Sequence, residues 1–239
     1  MIRNVRLPLA ALLTVLLIVP CAGHAQSFTI FDVPGSNNTI PQSINASGAI
    51  TGYYNLTYLV NHGFLRDPDG TITRFDPPDS VNTYALSIND SGAITGYYYD
   101  TARGHGFLRD SDGTITSFDP PDSIDTIAQS INASGAITGY YISSDFVDRG
   151  FLRDPDGTIT SFDPPGLIST TTRISINASG AITGSYSSGL RHGFLREPDG
   201  TITCLDAPGP IGTFPLSIND SGAITGYVFL NGNHGFVFQ

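Results

Sequence analysis

The chain of 239 residues is acidic, with 21 Asp and Glu against 11 Lys and Arg and a formal net charge of −10 at pH 7. This charge argues against nucleic acid and anionic membrane surfaces as partners, because both repel an acidic protein. The 27 glycines and 16 prolines interrupt the stretches that could form long helices, so the composition predicts many short strands joined by turns.

Residues 1–25 predict a secretory signal peptide. Arg3 and Arg6 precede an apolar run over residues 7–19, and small residues follow up to Ala25, which is the order of segments in such a peptide. The apolar run is shorter than the ~20 residues that a helix needs to cross a bilayer. We therefore expect a secreted or periplasmic protein. Its one remaining cysteine, Cys204, leaves no intramolecular disulfide to stabilise the fold.

Residues 26–239 are predicted to form one domain that contains five copies of a repeat, here called units 1 to 5. The segment Ser-Ile-Asn-x-Ser-Gly-Ala-Ile-Thr-Gly begins at Ser43, Ser87, Ser130, Ser175 and Ser217. The segment (His/Arg)-Gly-Phe begins at His62, His105, Arg149, His192 and His234. The segment Thr-Ile-Thr-x-(Phe/Leu)-Asp ends at Asp76, Asp119, Asp163 and Asp206. Because the segments recur in the same order, each unit is expected to be one structural module.

Each unit is predicted to contain four short strands, called a to d, which in unit 2 cover residues 85–88, 93–98, 106–109 and 114–118. The a–b turn, Asn-x-Ser-Gly, and the c–d turn, Asp-x-Asp-Gly, carry the residues that tight hairpin turns need for a positive φ. A four-stranded antiparallel meander of roughly 44 residues has the size of a propeller blade. The sequence therefore predicts an all-β fold, namely a five-bladed β-propeller of four-stranded antiparallel blades.

The two termini predict how the ring closes. The chain ends after strand c of unit 5, whereas residues 28–32, Phe-Thr-Ile-Phe-Asp, look like a strand d that lacks the rest of its unit. We expect this N-terminal strand to complete the fifth blade and close the ring, because closure removes the open edge of the sheet array.

The repeats resemble those of the bacterial extracellular HAF family, which is named for a His-Ala-Phe segment. The similarity rests on His-Gly-Phe-Leu-Arg followed by Asp-Pro-Asp-Gly-Thr-Ile-Thr, in alternation with Ser-Ile-Asn-Ala-Ser-Gly-Ala-Ile-Thr-Gly, and covers nearly all of residues 28–239. This chain has glycine in place of the family's alanine, and Arg149 in place of one histidine. The resemblance implies an extracellular repeat architecture, and it implies no activity and no site residue.

The b–c and d–a connections differ in sequence from unit to unit, and an up-and-down meander places them on one face of the ring. Variable loops on a rigid scaffold often carry function, so we expect this variable-loop face to be the binding surface. Tyrosines near the end of strand b point toward it, and their rings suit a sugar or a protein partner. The candidate binding residues are Tyr54, Tyr98, Tyr141, Tyr186 and Tyr227. The alternative is that many of these tyrosines pack between blades.

The expected function is that of a non-enzymatic, monomeric protein that binds a carbohydrate or a protein through several similar shallow sites, which together supply avidity. No catalytic residue, cofactor or metal site is predicted. The Asp-x-Asp-Gly turns lack the downstream glutamate of a calcium loop, and equivalent histidines on separate blades lie too far apart to share an ion. The alternatives are a glycan-active hydrolase, which needs paired carboxylates of different pKa, and a purely structural envelope scaffold.

Deletion of residues 28–32 tests the predicted closing strand. Because the deletion would leave the fifth blade with an open edge, we expect a loss of about 2–3 kcal/mol, which lowers the Tm of a domain of this size by about 5–10 °C. Thermal unfolding followed by circular dichroism measures this change. A melting temperature equal to that of the intact chain would contradict the closed ring.

Overall fold

The structure is a computed structural model that describes residues 28–57, 59–209 and 211–239, so the predicted signal peptide over residues 1–25 lies outside the described residues. Residues from Asp32 to Gln239 form one compact unit. The described ranges consist of strands, turns and irregular segments. Within them, no helix is long and apolar enough to cross a membrane.

The strands of the described chain follow the five units in order. Unit 1 contributes β1 (Asn38–Ile44), β2 (Ile50–Thr57), β3 (Val60–Arg66) and β4 (Ile72–Phe75). Unit 2 contributes β5 (Asn82–Ile88), β6 (Ile94–Tyr99), β7 (Gly104–Arg109) and β8 (Ile115–Phe118). Unit 3 contributes β9 (Ser123–Ile131), β10 (Ile137–Ser143), β11 (Asp148–Arg153) and β12 (Ile159–Phe162). Units 4 and 5 contribute β13 (Ser169–Ile176), β14 (Ile182–Ser187), β15 (Arg191–Arg196), β16 (Ile202–Cys204), β17 (Gly212–Ile218), β18 (Ile224–Phe229) and β19 (Asn233–Phe238).

Units 1 to 3 each form a separate four-stranded antiparallel meander, and the strands of unit 4 pair in the same order. One parallel bridge between Arg191 and Gly212 joins unit 4 to unit 5 in a seven-stranded sheet. This confirms the predicted strands a to d. In unit 2, strand a begins at Asn82 rather than at the predicted residue 85. Asn82 and Thr83 have polar side chains that are typical of a turn, but their backbones pair with β6 and so belong to the strand. Unit 5 has the three strands β17 to β19. Residues 28–33 form no strand, so closure of the ring by an N-terminal strand remains a prediction.

Strand a of every unit faces a common centre. One cavity of about 390 Å³ is lined by residues of β1, β5, β9, β13 and β17. Its lining includes one residue from each unit in turn, Gln42, Leu86, Gln129, Ile174 and Leu216. Because five different units contribute to one cavity, the sheets are arranged radially around an axis, with strand a innermost.

Asparagine side chains connect the a–b turns of units 1 to 4 to the next unit. In unit 3, Asn132 Oδ1 accepts hydrogen bonds from the Ala136 backbone N–H at 2.9 Å and from the Ser134 hydroxyl at 2.7 Å, which closes the turn. The Asn132 Nδ2 group donates to the Asn177 carbonyl of unit 4 at 3.1 Å. Equivalent inter-unit bonds are donated by Asn45, Asn89 and Asn177, at 3.1, 3.0 and 3.1 Å. The Ser-Ile-Asn-x-Ser-Gly segment thus forms a turn and also ties neighbouring units together.

Aromatic rings fill the space between consecutive sheets. Phe107, from the His-Gly-Phe segment of unit 2, is fully buried. It packs edge-on against Phe75 of unit 1, with the ring centroids 6.0 Å apart. Arg109 lies over the same Phe75 ring at 5.1 Å, in a cation–π contact that gains strength from burial. The arrangement recurs in the pairs Arg153–Phe118 and Arg196–Phe162. Both faces of each interior sheet are therefore covered.

Apolar side chains at the two ends of the array are exposed, whereas the equivalent side chains of interior units are buried or partly buried. Ile44 of unit 1 is 65% exposed, whereas its equivalent Ile88 is 6% exposed and packs against Ala49 of the preceding unit. At the other end, Val237 of β19 is 67% exposed, although its equivalent Leu65 packs in the cluster between units 1 and 2. Ile44 and Val237 therefore mark two apolar surfaces that a closed ring would bring together.

Substitution of Asn132 tests the tie between neighbouring turns. We expect Asn132→Ala to lower the free energy of unfolding by about 2–4 kcal/mol, because several bonds of about 0.5–1.5 kcal/mol each are lost and buried partners are left unpaired. Urea denaturation measures the change. Ser134→Ala is the control, since it removes hydrogen bonding within the same turn and none between units, and it should cost less. Equal losses for the two variants would contradict a role for the bond between units.

Candidate functional site

A polar pair joins the start of strand c to the aspartate just beyond strand d in units 1 to 4. The pairs are His62–Asp76 at 2.8 Å, His105–Asp119 at 2.7 Å, Arg149–Asp163 at 2.6 Å and His192–Asp206 at 2.6 Å. Asp119 also accepts a hydrogen bond from the Thr126 hydroxyl on the next strand a at 2.6 Å. Asp119 therefore anchors the d–a connection of its unit, and Arg149 replaces histidine in the same structural position.

Four of the predicted binding tyrosines are buried inside their own units. Tyr54, Tyr98, Tyr141 and Tyr186 are each at most 7% exposed. Tyr98 stacks on His105 with the ring centroids 5.1 Å apart, and its hydroxyl bonds to the Ser117 hydroxyl at 2.9 Å. Tyr141 likewise donates to Ser161 at 2.9 Å. These contacts link strand b to strands c and d of the same sheet, so the rings have almost no surface left for a ligand.

Tyr227 belongs to a different set, on the other face of strand b. In the segment Ile-Thr-Gly-Tyr it takes the position of Tyr53, Tyr97 and Tyr140, each of which comes one residue before a buried tyrosine. Successive side chains of a strand point to opposite faces, so this set faces away from the buried one. Between units 1 and 2 the position is filled, because Tyr84 stacks on Tyr97 at 4.7 Å and Tyr53 packs edge-on against Tyr84 at 5.1 Å.

The equivalent slot between units 4 and 5 is open. Phe214 and Tyr227 stack with centroids 4.7 Å apart, as Tyr84 and Tyr97 do, but Ser185 stands at the position of Tyr53. In place of that third ring there is a cavity of about 260 Å³. It is lined by Arg173, Ser185, Phe214, Pro215, Leu216 and Tyr227, and we call it the interblade pocket. Of the predicted binding residues, Tyr227 is the one that lines it.

Arg173 lies at the interblade pocket in an unusual backbone conformation. Its φ is 58°, a value that residues other than glycine, asparagine and aspartate rarely adopt. The regular pairing of β13 with β14 breaks between Thr171 and Ser175, and Arg173 lies within this irregularity. Such conformations cost of order 1–3 kcal/mol and cluster at functional sites. The exposed Arg173 also lines the central cavity, so it is common to both spaces.

The acidic c–d turns are closed by their own hydrogen bonds. In unit 2, Asp112 Oδ1 accepts a bond from the Thr114 N–H at 2.8 Å, and the Gly113 N–H donates to the Asp110 carbonyl at 2.9 Å. The bonds from Thr114 hold the pKa of Asp112 below its usual value. Hydrogen bonds from the equivalent threonines lower the pKa values of Asp69, Asp156 and Asp199 in the same way. One carboxylate of each turn is therefore occupied in holding the hairpin.

No family model matches this chain, and no curated protein matches it at a significant level. Solved structures do resemble it. A virginiamycin B lyase from Staphylococcus aureus aligns with a TM-score of 0.53 and 16% identity, over 83% of this chain and 69% of that one. TolB from Acinetobacter baumannii aligns with a TM-score of 0.57 and 18% identity, over 82% of this chain and 50% of that one. A streptogramin B lyase gives a TM-score of 0.53 and 16% identity, over 87% and 70%.

These likenesses concern the fold alone, because the sequence identities are low. Together with the radial arrangement of the sheets, they confirm the predicted all-β, propeller-like fold. The chain spans half the length of the Acinetobacter TolB that it resembles. The number of blades and the closure of the ring remain predictions.

Proposed function

We propose that this protein is a secreted, non-enzymatic propeller that binds a carbohydrate in the interblade pocket. The observation that carries the proposal is the slot between units 4 and 5, where Ser185 leaves room beside the stacked Phe214 and Tyr227. Aromatic rings offer apolar faces on which a sugar ring can stack. Arg173 supplies N–H donors for the hydroxyl or carboxylate oxygens of the sugar.

The size of the pocket favours a small ring. Its volume of about 260 Å³ is slightly below the roughly 300 Å³ at which pockets for drug-sized ligands begin. One sugar residue is therefore the expected occupant, and the rest of a glycan would extend outside the pocket. This proposal replaces the several equivalent shallow sites that the repeat pattern predicts, because Tyr53 and Tyr84 occupy the corresponding slot between units 1 and 2.

The composition of the pocket supports a binding role without catalysis. Among the described residues, its lining contains no aspartate and no glutamate, whereas glycoside hydrolysis requires two carboxylates beside the scissile bond. A glycan-active hydrolase is the competing enzymatic hypothesis, and a protein-binding module and a structural envelope scaffold are the competing non-enzymatic ones. Incubation with the bound polysaccharide separates binding from hydrolysis, because a hydrolase would generate new reducing ends.

We also propose that the ring has five blades and is closed by residues 28–32. The exposed Ile44 and Val237 at the two ends of the array support closure, since the equivalent of Ile44 in unit 2, Ile88, is buried and the equivalent of Val237 in unit 1, Leu65, is partly buried. In the repeat, Phe31 takes the sequence position of Phe75, the ring that lies under Arg109 of the following unit. Membership of the HAF family, export through the N-terminal segment and a monomeric state belong to the same proposal.

A glycan array tests the proposed function. We expect the purified protein to bind a defined class of sugar, and we expect Ser185→Tyr to weaken that binding at least tenfold. The added ring restores the residue type of Tyr53, Tyr97 and Tyr140 and fills the pocket. Because the four other units accommodate tyrosine at this position, the variant should fold.

Ser188→Tyr is the matched control, because it adds the same ring at an exposed residue just after β14. It should bind sugar as the wild type does. Binding by Ser185→Tyr that equals the wild type, at an unchanged melting temperature, would refute the interblade pocket as the site. If no glycan on the array binds, the proposal of a carbohydrate ligand is refuted, and a protein partner becomes the favoured ligand.

A further inference from the structure

Unit 4 contains a combination of side chains that units 1 to 3 lack. Its strand d ends with Cys204, whereas the equivalent residues are Arg74, Ser117 and Ser161. In unit 4 this thiol lies beside the His192–Asp206 pair. Unit 2 has the same pair of a histidine and an aspartate with a hydroxyl in place of the thiol, and unit 3 has arginine in place of the histidine.

Strand pairing brings the three side chains of unit 4 together. β15 pairs with β16 so that Phe194 lies opposite Cys204, which places His192 and Asp206 at the same end of the hairpin. The His192 Nδ1 atom lies 2.6 Å from Asp206 Oδ2, and Cys204 Sγ lies 3.1 Å from the same oxygen. The three donor atoms all lie within 4.8 Å of one another.

We propose that His192, Cys204 and Asp206 bind a transition-metal ion of the Zn²⁺ type. Bonds of about 2.0 Å to nitrogen or oxygen and about 2.3 Å to sulfur require donor atoms about 3.3–3.6 Å apart around a tetrahedral ion. The separations of 2.6 and 3.1 Å from Asp206 Oδ2 need to open by less than about 1 Å to reach this geometry. His192 Nδ1 and Cys204 Sγ lie within 4.8 Å of each other and need to settle near the upper end of that range.

The donor set selects the class of ion. Thiolate and imidazole ligands suit Zn²⁺ and similar transition metals, whereas Ca²⁺ and Mg²⁺ require oxygen ligands throughout. Three protein ligands leave at least one position for water or another molecule, as in open zinc sites. On binding, the Cys204 thiol loses its proton to solvent and forms the sulfur–metal bond. The oxidation states of the ion and the sulfur do not change.

The surroundings allow an ion to enter and hold the histidine in place. The side chains of His192 and Asp206 are 24% and 37% exposed, so the ion can arrive from solvent while the protein stays folded. Tyr186 packs on the His192 ring with the centroids 5.2 Å apart. Its hydroxyl donates to Cys204 Sγ at 3.7 Å. Tyr186 therefore contacts two of the three ligands and helps to fix their orientation.

Metal titration of the full chain tests the site. Cys21→Ser serves as the background in every sample, so that Cys204 is the only thiol. After removal of metal by a chelator under reducing conditions, we expect one equivalent of Zn²⁺ to bind by calorimetry. Bound Co²⁺ should show a thiolate-to-metal charge-transfer absorption. Zn²⁺ should also raise the melting temperature, because it binds the folded state.

Cys204→Ser gives unit 4 the residue that unit 2 has at this position, so we expect it to fold with an unchanged melting temperature in the absence of metal. It should lose the charge-transfer absorption and bind Zn²⁺ at least tenfold more weakly. His105→Gln in unit 2 is the matched control. It should leave the charge-transfer absorption and the affinity for Zn²⁺ unchanged. The proposal is overturned if Co²⁺ gives no thiolate absorption, or if Cys204→Ser binds Zn²⁺ as tightly as the background protein.

Discussion

The asparagine of the a–b turn in units 1 to 4 holds neighbouring sheets together. Its side-chain oxygen closes the turn and its amide group donates to the next unit, as Asn132 does toward Asn177. Aspartate would keep the acceptor and lose the donor, and glutamine would place both groups one carbon further from the backbone. This double use of one short amide explains why the turn is nearly identical in every unit while the connections on the opposite face vary.

The packing within each sheet also leaves little freedom elsewhere in the repeat. A Cβ atom on Gly150 would lie 2.3 Å from the ring of Phe162, so the glycine of (His/Arg)-Gly-Phe provides room for an aromatic ring of its own sheet. A unit can therefore acquire a binding site at positions where its sequence departs from the repeat, provided that these packing contacts are kept. Such departures concentrate in unit 4, with Ser185 opening the interblade pocket, Arg173 beside it and Cys204 next to a histidine–aspartate pair.

The sequence is sufficient to predict the strands and turns, because each is repeated and its turn residues have specific backbone requirements. It is less informative about which tyrosines a ligand can reach. Strand parity separates Tyr227 from Tyr54, Tyr98, Tyr141 and Tyr186, and counting from Ile-Thr-Gly is enough to reveal this. The open slot has a sequence signal as well, namely Ser185 at a tyrosine position. The cluster around Cys204 has no such signal, because only strand pairing brings His192 close to it.

The stoichiometry of sugar binding is the most direct measurement of the central claim, that function arises where unit 4 departs from the repeat. Isothermal titration calorimetry with a monosaccharide selected by the array gives the number of sites per chain. The interblade pocket predicts one site, because units 1 to 3 have tyrosine at the position of Ser185 and tyrosine rings fill the slot between units 1 and 2. Four or five equivalent sites per chain would contradict this claim and would show that elements common to all units bind the sugar.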